Sequence, residues 1–165
     1  MKSDYSSALH LSDGLLVDAN LLILYIVGLV RPDRIDGFKR TSRYDRDSFE
    51  LLLRVMDRFK KIYTVAHVMA EVSNLTDLSG RERLEARRVL ASAIAIFHEP
   101  HVPSNQAART SPYEDLGLTD SAISVVARET RCTVLTDDLD LYLSLEREKL
   151  PVVNFTHLRQ LEWQR

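Results

Sequence analysis

The fold of this chain is decided by residues 15–27, LLVDANLLILYIV. A short apolar run ends at Asp18, which opens a polar turn with Ala19 and Asn20, and a longer apolar run begins at Leu21. Continuous apolar runs without alternation are typical of strands and helices buried on both sides. The pattern predicts a buried strand, a turn and a buried helix, with Asp18 at the carboxyl end of the strand.

The rest of the chain repeats this order of elements. Apolar spacing predicts further strands at 62–64, 133–135 and 152–155, helices at 48–59 with Ser48 as the cap, at 65–75, 82–97 and 119–130, and a helix that ends at 148. Val102 is a candidate for another short strand in the irregular stretch 98–111. Alternating strands and helices favour a parallel sheet covered on both faces. We therefore expect a single α/β domain over residues 1–165, with a core at about 14–158. Its predicted architecture is a three-layer α/β/α sandwich around a mainly parallel twisted sheet of four or five strands.

Composition excludes several classes of protein. The formal net charge of −2 is unlike that of a polycation that wraps nucleic acid. The single cysteine, Cys132, cannot form an internal disulfide, which favours a reducing, cytoplasmic location. The most apolar window is interrupted by Asp18 and Asn20 and is too short to span a bilayer, so no membrane association is expected.

One polar segment interrupts the pattern, at residues 31–47, and we interpret it as a loop insertion. Phe38 and Tyr44 within it could stack on nucleic-acid bases. Its acids weaken its positive field, so a plain solvated loop is an equal alternative to an RNA-binding element. The candidate RNA-binding residues are Arg31, Arg34, Lys39, Arg40, Arg43 and Arg46.

Four acidic residues stand at positions where a charge is awkward for packing, and we call them the acidic quartet: Asp18, Glu71, Asp120 and Asp138. Asp18 and Asp138 each follow a predicted strand, and the carboxyl ends of parallel strands meet at one edge of the sheet. Glu71 borders the apolar stripe of its predicted helix. Asp120 follows Thr119, a plausible N-cap, where the helix dipole favours the ionised form.

Carboxylates that converge in this way repel one another unless a cation offsets their charge. Oxygen ligands suit Mg²⁺ or Mn²⁺. Such a site can activate water for phosphodiester hydrolysis. Each acid taken alone also has a structural interpretation: Asp120 as a helix cap, Glu71 as a solvated flank, and Asp137, Asp138 and Asp140 as a turn.

The chain resembles the PIN-domain family in four segments that follow the family's order. These segments are LLVDANLLI, YTVAHVMAEVSNL, LTDSAISVVARE and TVLTDDLDL, and the resemblance extends over nearly the whole chain, from about Leu15 to Leu158. The family includes VapC-like toxin ribonucleases and related orphan nucleases. The resemblance therefore implies a Mg²⁺- or Mn²⁺-dependent endoribonuclease. It also implies an antitoxin protein as a partner and a homodimer.

By motif position, the acidic quartet would form the catalytic, metal-holding set. Asn20, Ser121 and Thr136 would orient it through hydrogen bonds, and Asp140 matches a further acid of the fourth motif. Asp137 competes with Asp138 for the fourth place, and the Thr-x-Asp spacing favours Asp138. The chain departs from the pattern at Ala19, where a hydroxyl residue is common, and in its 31–47 insertion.

Two other functions remain open at this point. A PIN-like module that binds RNA or a protein without cutting is the main alternative, and the intact quartet argues against it. A phosphohydrolase with an Asp nucleophile at Asp18 would need a second Asp two residues later, where Asn20 stands.

Overall fold

The computed structural model describes residues 12–75 and 78–163, and for Leu75 it describes the backbone only. The predicted ends of the domain, 1–11 and 164–165, lie outside the described residues. The elements, in chain order, are β1 (Gly14–Val17), α1 (Ala19–Val30), a 3₁₀ turn (Pro32–Arg34), α2 (Arg46–Met56), β2 (Lys61–Tyr63), α3 (Ala66–Leu75), α4 (Gly80–Ile96), α5 (Ser104–Ala107), α6 (Tyr113–Thr130), β3 (Thr133–Thr136), α7 (Leu139–Arg147), β4 (Val152–Asn154) and α8 (Phe155–Trp163).

A parallel sheet forms the centre of the fold. The described strands number four, in the order β2-β1-β3-β4, and all neighbours are parallel. Every residue of β1 and β3 is buried, which explains their unbroken apolar character. Helices flank the sheet, so the α/β prediction is confirmed.

Helix α1 follows β1 and is buried over most of its length. Asp18 caps it, because Asp18 Oδ1 accepts a hydrogen bond of 2.8 Å from the backbone N–H of Leu21. The helix packs against α2, α3 and α4, and eight of its twelve residues are buried. Packing on several sides accounts for a helix that is apolar almost all round.

Gly28 lets α2 approach α1 closely. A Cβ at this position would lie 2.2–2.6 Å from ring atoms of Phe49. We expect Gly28→Ala to destabilise the protein, because overpacking costs about 1–3 kcal/mol and outweighs the ~1 kcal/mol that alanine gains over glycine in a helix. Urea unfolding of this variant should show a lower midpoint than wild type. Gly37→Ala is the control, since its Cβ would meet Arg34 O at 3.5 Å, and equal midpoints for all three proteins would refute the prediction.

The prediction that Ser48 caps a helix over 48–59 is wrong at both ends. Asp45 is the cap of α2: its Oδ1 accepts from the Ser48 backbone N–H at 2.8 Å, and its own backbone N–H donates to Ser48 Oγ at 3.4 Å. Ser48 therefore completes the capping box from inside the helix. Because α2 begins at Arg46, the irregular part of the predicted insertion is shorter than 31–47.

Other predicted elements also differ from the structure. Val102 is buried but lies outside the strands, and the edge of β2 is instead extended by a bridge between Tyr63 and His98. Phe155 does not end β4 but begins α8, which the strand prediction missed. Helix α6 begins before Thr119, at Tyr113, with a break inside it. Short apolar runs leave such boundaries to tertiary packing.

Candidate functional site

The site lies at the point in the parallel sheet where successive strands are added on opposite sides of β1. From β1 the chain goes to β2 on one side, whereas β3 and β4 lie on the other. In parallel α/β sheets, ligands bind at the carboxyl ends of the strands beside such a switch point. Asp18 follows β1 there, and the turn from Thr136 to Asp138 follows β3. The two loops are joined by a backbone hydrogen bond of 3.1 Å from Asp18 N–H to Leu135 O.

Asp18 is held firmly by its neighbours. Besides capping α1 at Leu21, its carboxylate accepts hydrogen bonds at Oδ2 from the Thr136 hydroxyl at 2.5 Å and from the Asp137 backbone N–H at 3.1 Å. The Asp138 backbone N–H donates to the Thr136 hydroxyl oxygen at 3.0 Å. The conformation of the turn after β3 therefore sets the position of Asp18.

Burial makes Asp18 an unusual carboxyl. The side chain is 4% exposed, and burial, followed by the charge of Asp137, raises its pKa from 3.8 to about 7. Hydrogen bonds from Thr136 and from the backbone of Leu21 and Asp137 oppose this shift. Without a cation, ionised Asp18 is therefore an energetic cost that the hydrogen bonds offset in part.

A cleft of about 230 Å³ opens beside Asp18 at this edge of the sheet. Its walls come from the loop after β1, from α3, from the middle of α6 and from the start of α7. The lining residues are Asp18, Ala19, Asn20, Glu71, Leu116, Leu118, Thr119, Asp120 and Asp138. The structure thus brings the acidic quartet together around one cleft.

Asp120 reaches the cleft because α6 is broken at Gly117. Gly117 has φ 80° and ψ −174°, a conformation that residues with a side chain rarely adopt. The break lets Leu116 and Leu118, on either side of Gly117, form a wall of the cleft. Asp120 follows in the first turn of the second part of the helix.

The electrostatics of Asp120 differ from the expectation based on the helix dipole. Burial, then the charges of Asp138 and Glu71, raise its pKa from 3.8 to about 7. In the metal-free protein Asp120 therefore keeps its proton to a higher pH than an ordinary aspartate, which is the opposite of the expectation from the helix dipole. The charges of Asp138 and Glu71 thus act on Asp120 across the cleft that all three line.

The other predicted residues of the site have separate positions. Thr136 orients Asp18 directly. Asn20 lines the cleft. Ser121 is fully buried, and its hydroxyl has no hydrogen-bond partner among the described residues, so the expectation that it orients an acid through a hydrogen bond is not met. Asp140 is exposed and lines a neighbouring groove of about 340 Å³ instead of the cleft.

Asp138 and Asp137 point to different surroundings. Asp138 lines the cleft, and its Oδ1 caps α7 by accepting from the backbone N–H groups of Asp140 at 2.8 Å and Leu141 at 3.0 Å. Asp137 is turned away from the cleft, and its side chain is 1% exposed. It forms an ion pair of 2.9 Å with Arg43 Nη2 and accepts a hydrogen bond from the Tyr44 hydroxyl.

These contacts of Asp137 were missed from the sequence. Tyr44 is 2% exposed, so the interpretation of Tyr44 as a base-stacking side chain is wrong for this conformation. Tyr44 and Asp137 are 93 positions apart, and no local pattern connects them. The sign in the sequence was the position of Tyr44, an aromatic residue, directly after Arg43 in an otherwise polar segment.

The remaining basic residues of the insertion lie in several environments. Arg31 and Arg34 pair with Glu82 of α4 at 3.3 and 3.2 Å. They follow α1, whose twelve residues carry the chain about 18 Å away from the cleft. Arg46 pairs with Glu50 at 3.2 Å, whereas Lys39 and Arg40 are exposed. Phe38 is partly buried beneath Arg34. As an RNA-binding element, the segment stays a prediction.

The carboxylates that line the cleft are the candidate ligands of a metal ion. Within residues 12–75 and 78–163, no group of three or more His, Cys, Asp or Glu side chains is arranged to hold a metal ion. Neither Glu71 nor Asp120 accepts a side-chain hydrogen bond from another described residue, so their oxygens are free for a ligand. The chemistry of the donors suits a hard cation, and Mg²⁺ needs one or two carboxylates when water and phosphate complete its shell.

Comparison with known proteins agrees with this geometry. The family model of the PIN domain matches residues 15–143, which run from β1 into α7 and include the whole acidic quartet. Searches of curated proteins and of solved structures found no match. None of the helices in the part of the chain that the structure describes is long and apolar enough to cross a membrane.

Proposed function

Because the chain belongs to the PIN domain family, a family of nucleases, we propose that it is a Mg²⁺- or Mn²⁺-dependent endoribonuclease. One observation carries the proposal: the acidic quartet, dispersed over 121 positions of sequence, lines a single cleft at the carboxyl edge of the sheet. Four acids with separate structural roles would not be expected to line one cleft, because repulsion between their carboxylates lowers the stability of the protein.

The residues of the site fit a divalent cation. Asp18 and Asp120 have pKa values raised to about 7 by burial and by neighbouring carboxylates, so a cation would favour their ionised forms. When bound, the cation would supply a Lewis acid for the phosphodiester and an activated water. The cleft is open to solvent, so a phosphate within a long RNA chain could enter it.

The chain's own residues would position the reacting groups. Thr136 and the backbone N–H of Asp137 orient Asp18, and the cap of α7 orients Asp138. Preorganised ligands of this kind lose little freedom on binding. Asp120 and Glu71, with free oxygens, complete the negative surface that would draw the cation to the scissile phosphate.

A finer proposal follows from the resemblance to toxin ribonucleases. The protein would be the toxin of a toxin–antitoxin pair in the cytoplasm, inhibited by an antitoxin and assembled as a homodimer. Exposed apolar side chains on α4 support a protein-binding role for that helix: Leu84 is 55%, Ile94 46% and Ile96 71% exposed.

The test of the proposed function is RNA cleavage in defined metals. Purified protein is incubated with an end-labelled structured RNA in Mn²⁺, in Mg²⁺ or in EDTA. We expect cleavage in the metals and none in EDTA. Asp138→Asn should lower the rate more than about 100-fold, because changes to groups that merely orient a ligand already cost about 10–100-fold. Asparagine is as good a helix cap as aspartate, so α7 should stay folded.

Asp57→Asn is the matched control, since Asp57 is an exposed aspartate at the end of α2. It should cut RNA like wild type. Wild-type protein that binds RNA but cuts none in either metal would reject the nuclease and favour the silent PIN-like module.

A further inference from the structure

The insertion makes its closest approach to the site through the buried carboxyl of Asp137. Arg43 Nη2 lies 2.9 Å from Asp137 Oδ2, and the Tyr44 hydroxyl donates to the same oxygen. Arg43 also stacks over the Tyr44 ring, with 5.2 Å from its guanidinium carbon to the ring centroid. The two neighbouring residues therefore act on Asp137 as one unit.

Tyr44 is itself held on its other side by α8. Its ring meets the edge of Phe155 with 6.2 Å between centroids, and the Arg159 guanidinium lies 5.5 Å from the ring centroid. Arg159 in turn lies 5.1 Å from the centroid of Trp163. Such packing holds the Tyr44 ring from which the hydroxyl donates to Asp137.

The contact with Asp137 continues to Asp18 through the backbone. The N–H of Asp137 donates to Asp18 Oδ2 at 3.1 Å, the oxygen that also accepts from Thr136. The side chain and the N–H belong to the same residue, so a backbone shift of Asp137 after the loss of its side-chain partners would move this N–H relative to Asp18. The position of Asp18 thus depends on how the Asp137 side chain is held.

Packing alone does not explain the polar groups at this contact. Phenylalanine at 44 and an apolar residue at 137 would fill the space without burying a carboxyl, and such replacements are often neutral or stabilising. Moreover, Asp137 Oδ1 is buried without a hydrogen-bond partner among the described residues, which is a cost that needs a reason.

We propose that Tyr44 and Arg43 are positioning residues, which hold Asp137 and, through its backbone N–H, keep Asp18 oriented for the cation. This inference rests on the proposed function for its catalytic meaning, but the orientation of Asp18 can be measured without it. The 31–47 insertion is then a support for the site and not primarily a surface for RNA.

The main test is Tyr44→Phe, which removes the hydroxyl and keeps the ring that packs on Phe155. Mn²⁺ affinity is measured by electron paramagnetic resonance, and exchange of the Asp137 amide by NMR in the metal-free protein. We expect Mn²⁺ affinity and kcat to fall about 10–100-fold, the usual effect of removing a group that orients a ligand. KM for RNA should stay within about twofold, because no contact with RNA is removed.

Exchange of the Asp137 amide should become faster than in wild type, while the Val134 amide, bonded to Pro151 O at 2.9 Å within the sheet, should keep its rate. Tyr142→Phe is the matched control, because it removes a tyrosine hydroxyl that donates to the exposed Glu146 at 2.9 Å. This control should leave Mn²⁺ affinity and Asp137 exchange as in wild type.

A second pair of variants tests Arg43. Arg43→Met should weaken Mn²⁺ binding, and Arg43→Lys should restore part of it by returning a positive charge to Asp137. Arg54→Met is the control: Arg54 is 57% exposed, close to the 53% of Arg43, and pairs with Glu162 at 3.5 Å.

The outcomes separate the two proposals. Unchanged Mn²⁺ affinity and Asp137 exchange in Tyr44→Phe would overturn the positioning role, and so would equal acceleration of the Val134 amide, which would indicate a general loss of stability. If wild type neither binds Mn²⁺ nor cuts RNA, the proposed function fails. The exchange of the Asp137 amide then decides the positioning role alone.

Discussion

Asp120→Asn is expected to reduce metal-dependent cleavage of RNA more than about 100-fold, since groups that only orient a metal ligand already contribute 10–100-fold. The same change should raise the melting temperature of the metal-free protein at pH 8. Asp120 repels Asp138 and Glu71, its burial disfavours the charge, and no hydrogen bond from a described side chain compensates. A gain of about 1 kcal/mol would raise Tm by roughly 2–4 °C in a domain of this size.

Opposite effects on activity and stability are the signature of a site that is strained for function. A merely structural aspartate would show loss of both. Asp57→Asn is again the matched control for the chemical change, and it should leave the cleavage rate unchanged. Lower Tm together with lower activity in Asp120→Asn would indicate that Asp120 supports the fold, and would argue against its role as a ligand.

The second large effect concerns pH. Asp18 and Asp120 have folded-state pKa values raised from 3.8 to about 7. Between pH 3.8 and about pH 7, the folded protein holds protons on these two carboxyls that the unfolded chain has already released. The stability that these protons contribute declines as pH rises and is lost above about pH 7. The metal-free protein should therefore be more stable near pH 6 than near pH 8, as measured by thermal unfolding in EDTA.

Added Mn²⁺ should oppose this dependence on pH, because metal must displace the protons at low pH and meets ionised ligands at high pH. At about 100 times its dissociation constant, a ligand stabilises the folded state by about 2.7 kcal/mol. We expect the gain in Tm on adding Mn²⁺ to be larger at pH 8 than at pH 6. Asp120→Asn should show a weaker dependence on pH in EDTA. A pH-independent gain, or none in wild type, would contradict the proposed metal site.

The two experiments depend on one physical fact, which is the cost of gathering carboxylates in a partly buried cleft. Stability is measured without any knowledge of the natural RNA. It can therefore identify the site even if the first RNA that is tried is a poor substrate. The cleavage assay then supplies the chemistry that stability cannot.

Much of the fold was predictable from the printed residues. Residues 15–17 and 133–136 are unbroken stretches of apolar or small residues. Such strands are buried on both sides, as in a parallel sheet that is covered by helices on both faces. The elements between them carry helical spacing. Where prediction failed, as at Ser48, Val102 and Phe155, the residue could satisfy two local structures, and contacts with distant segments selected one.

The sequence by itself determined the class of fold and singled out the acidic positions, with Asp137 still competing with Asp138, because burial periodicity and strand-end position are local properties of the chain. Tertiary structure decided what no local pattern contains: that Asp138, not Asp137, faces the cleft, that burial and mutual repulsion raise the pKa of Asp18 and Asp120, and that Tyr44 lies buried against Asp137. Such properties arise from atoms that are distant in sequence and adjacent in space, where hydrogen bonds and charge interactions depend on distances of a few ångströms.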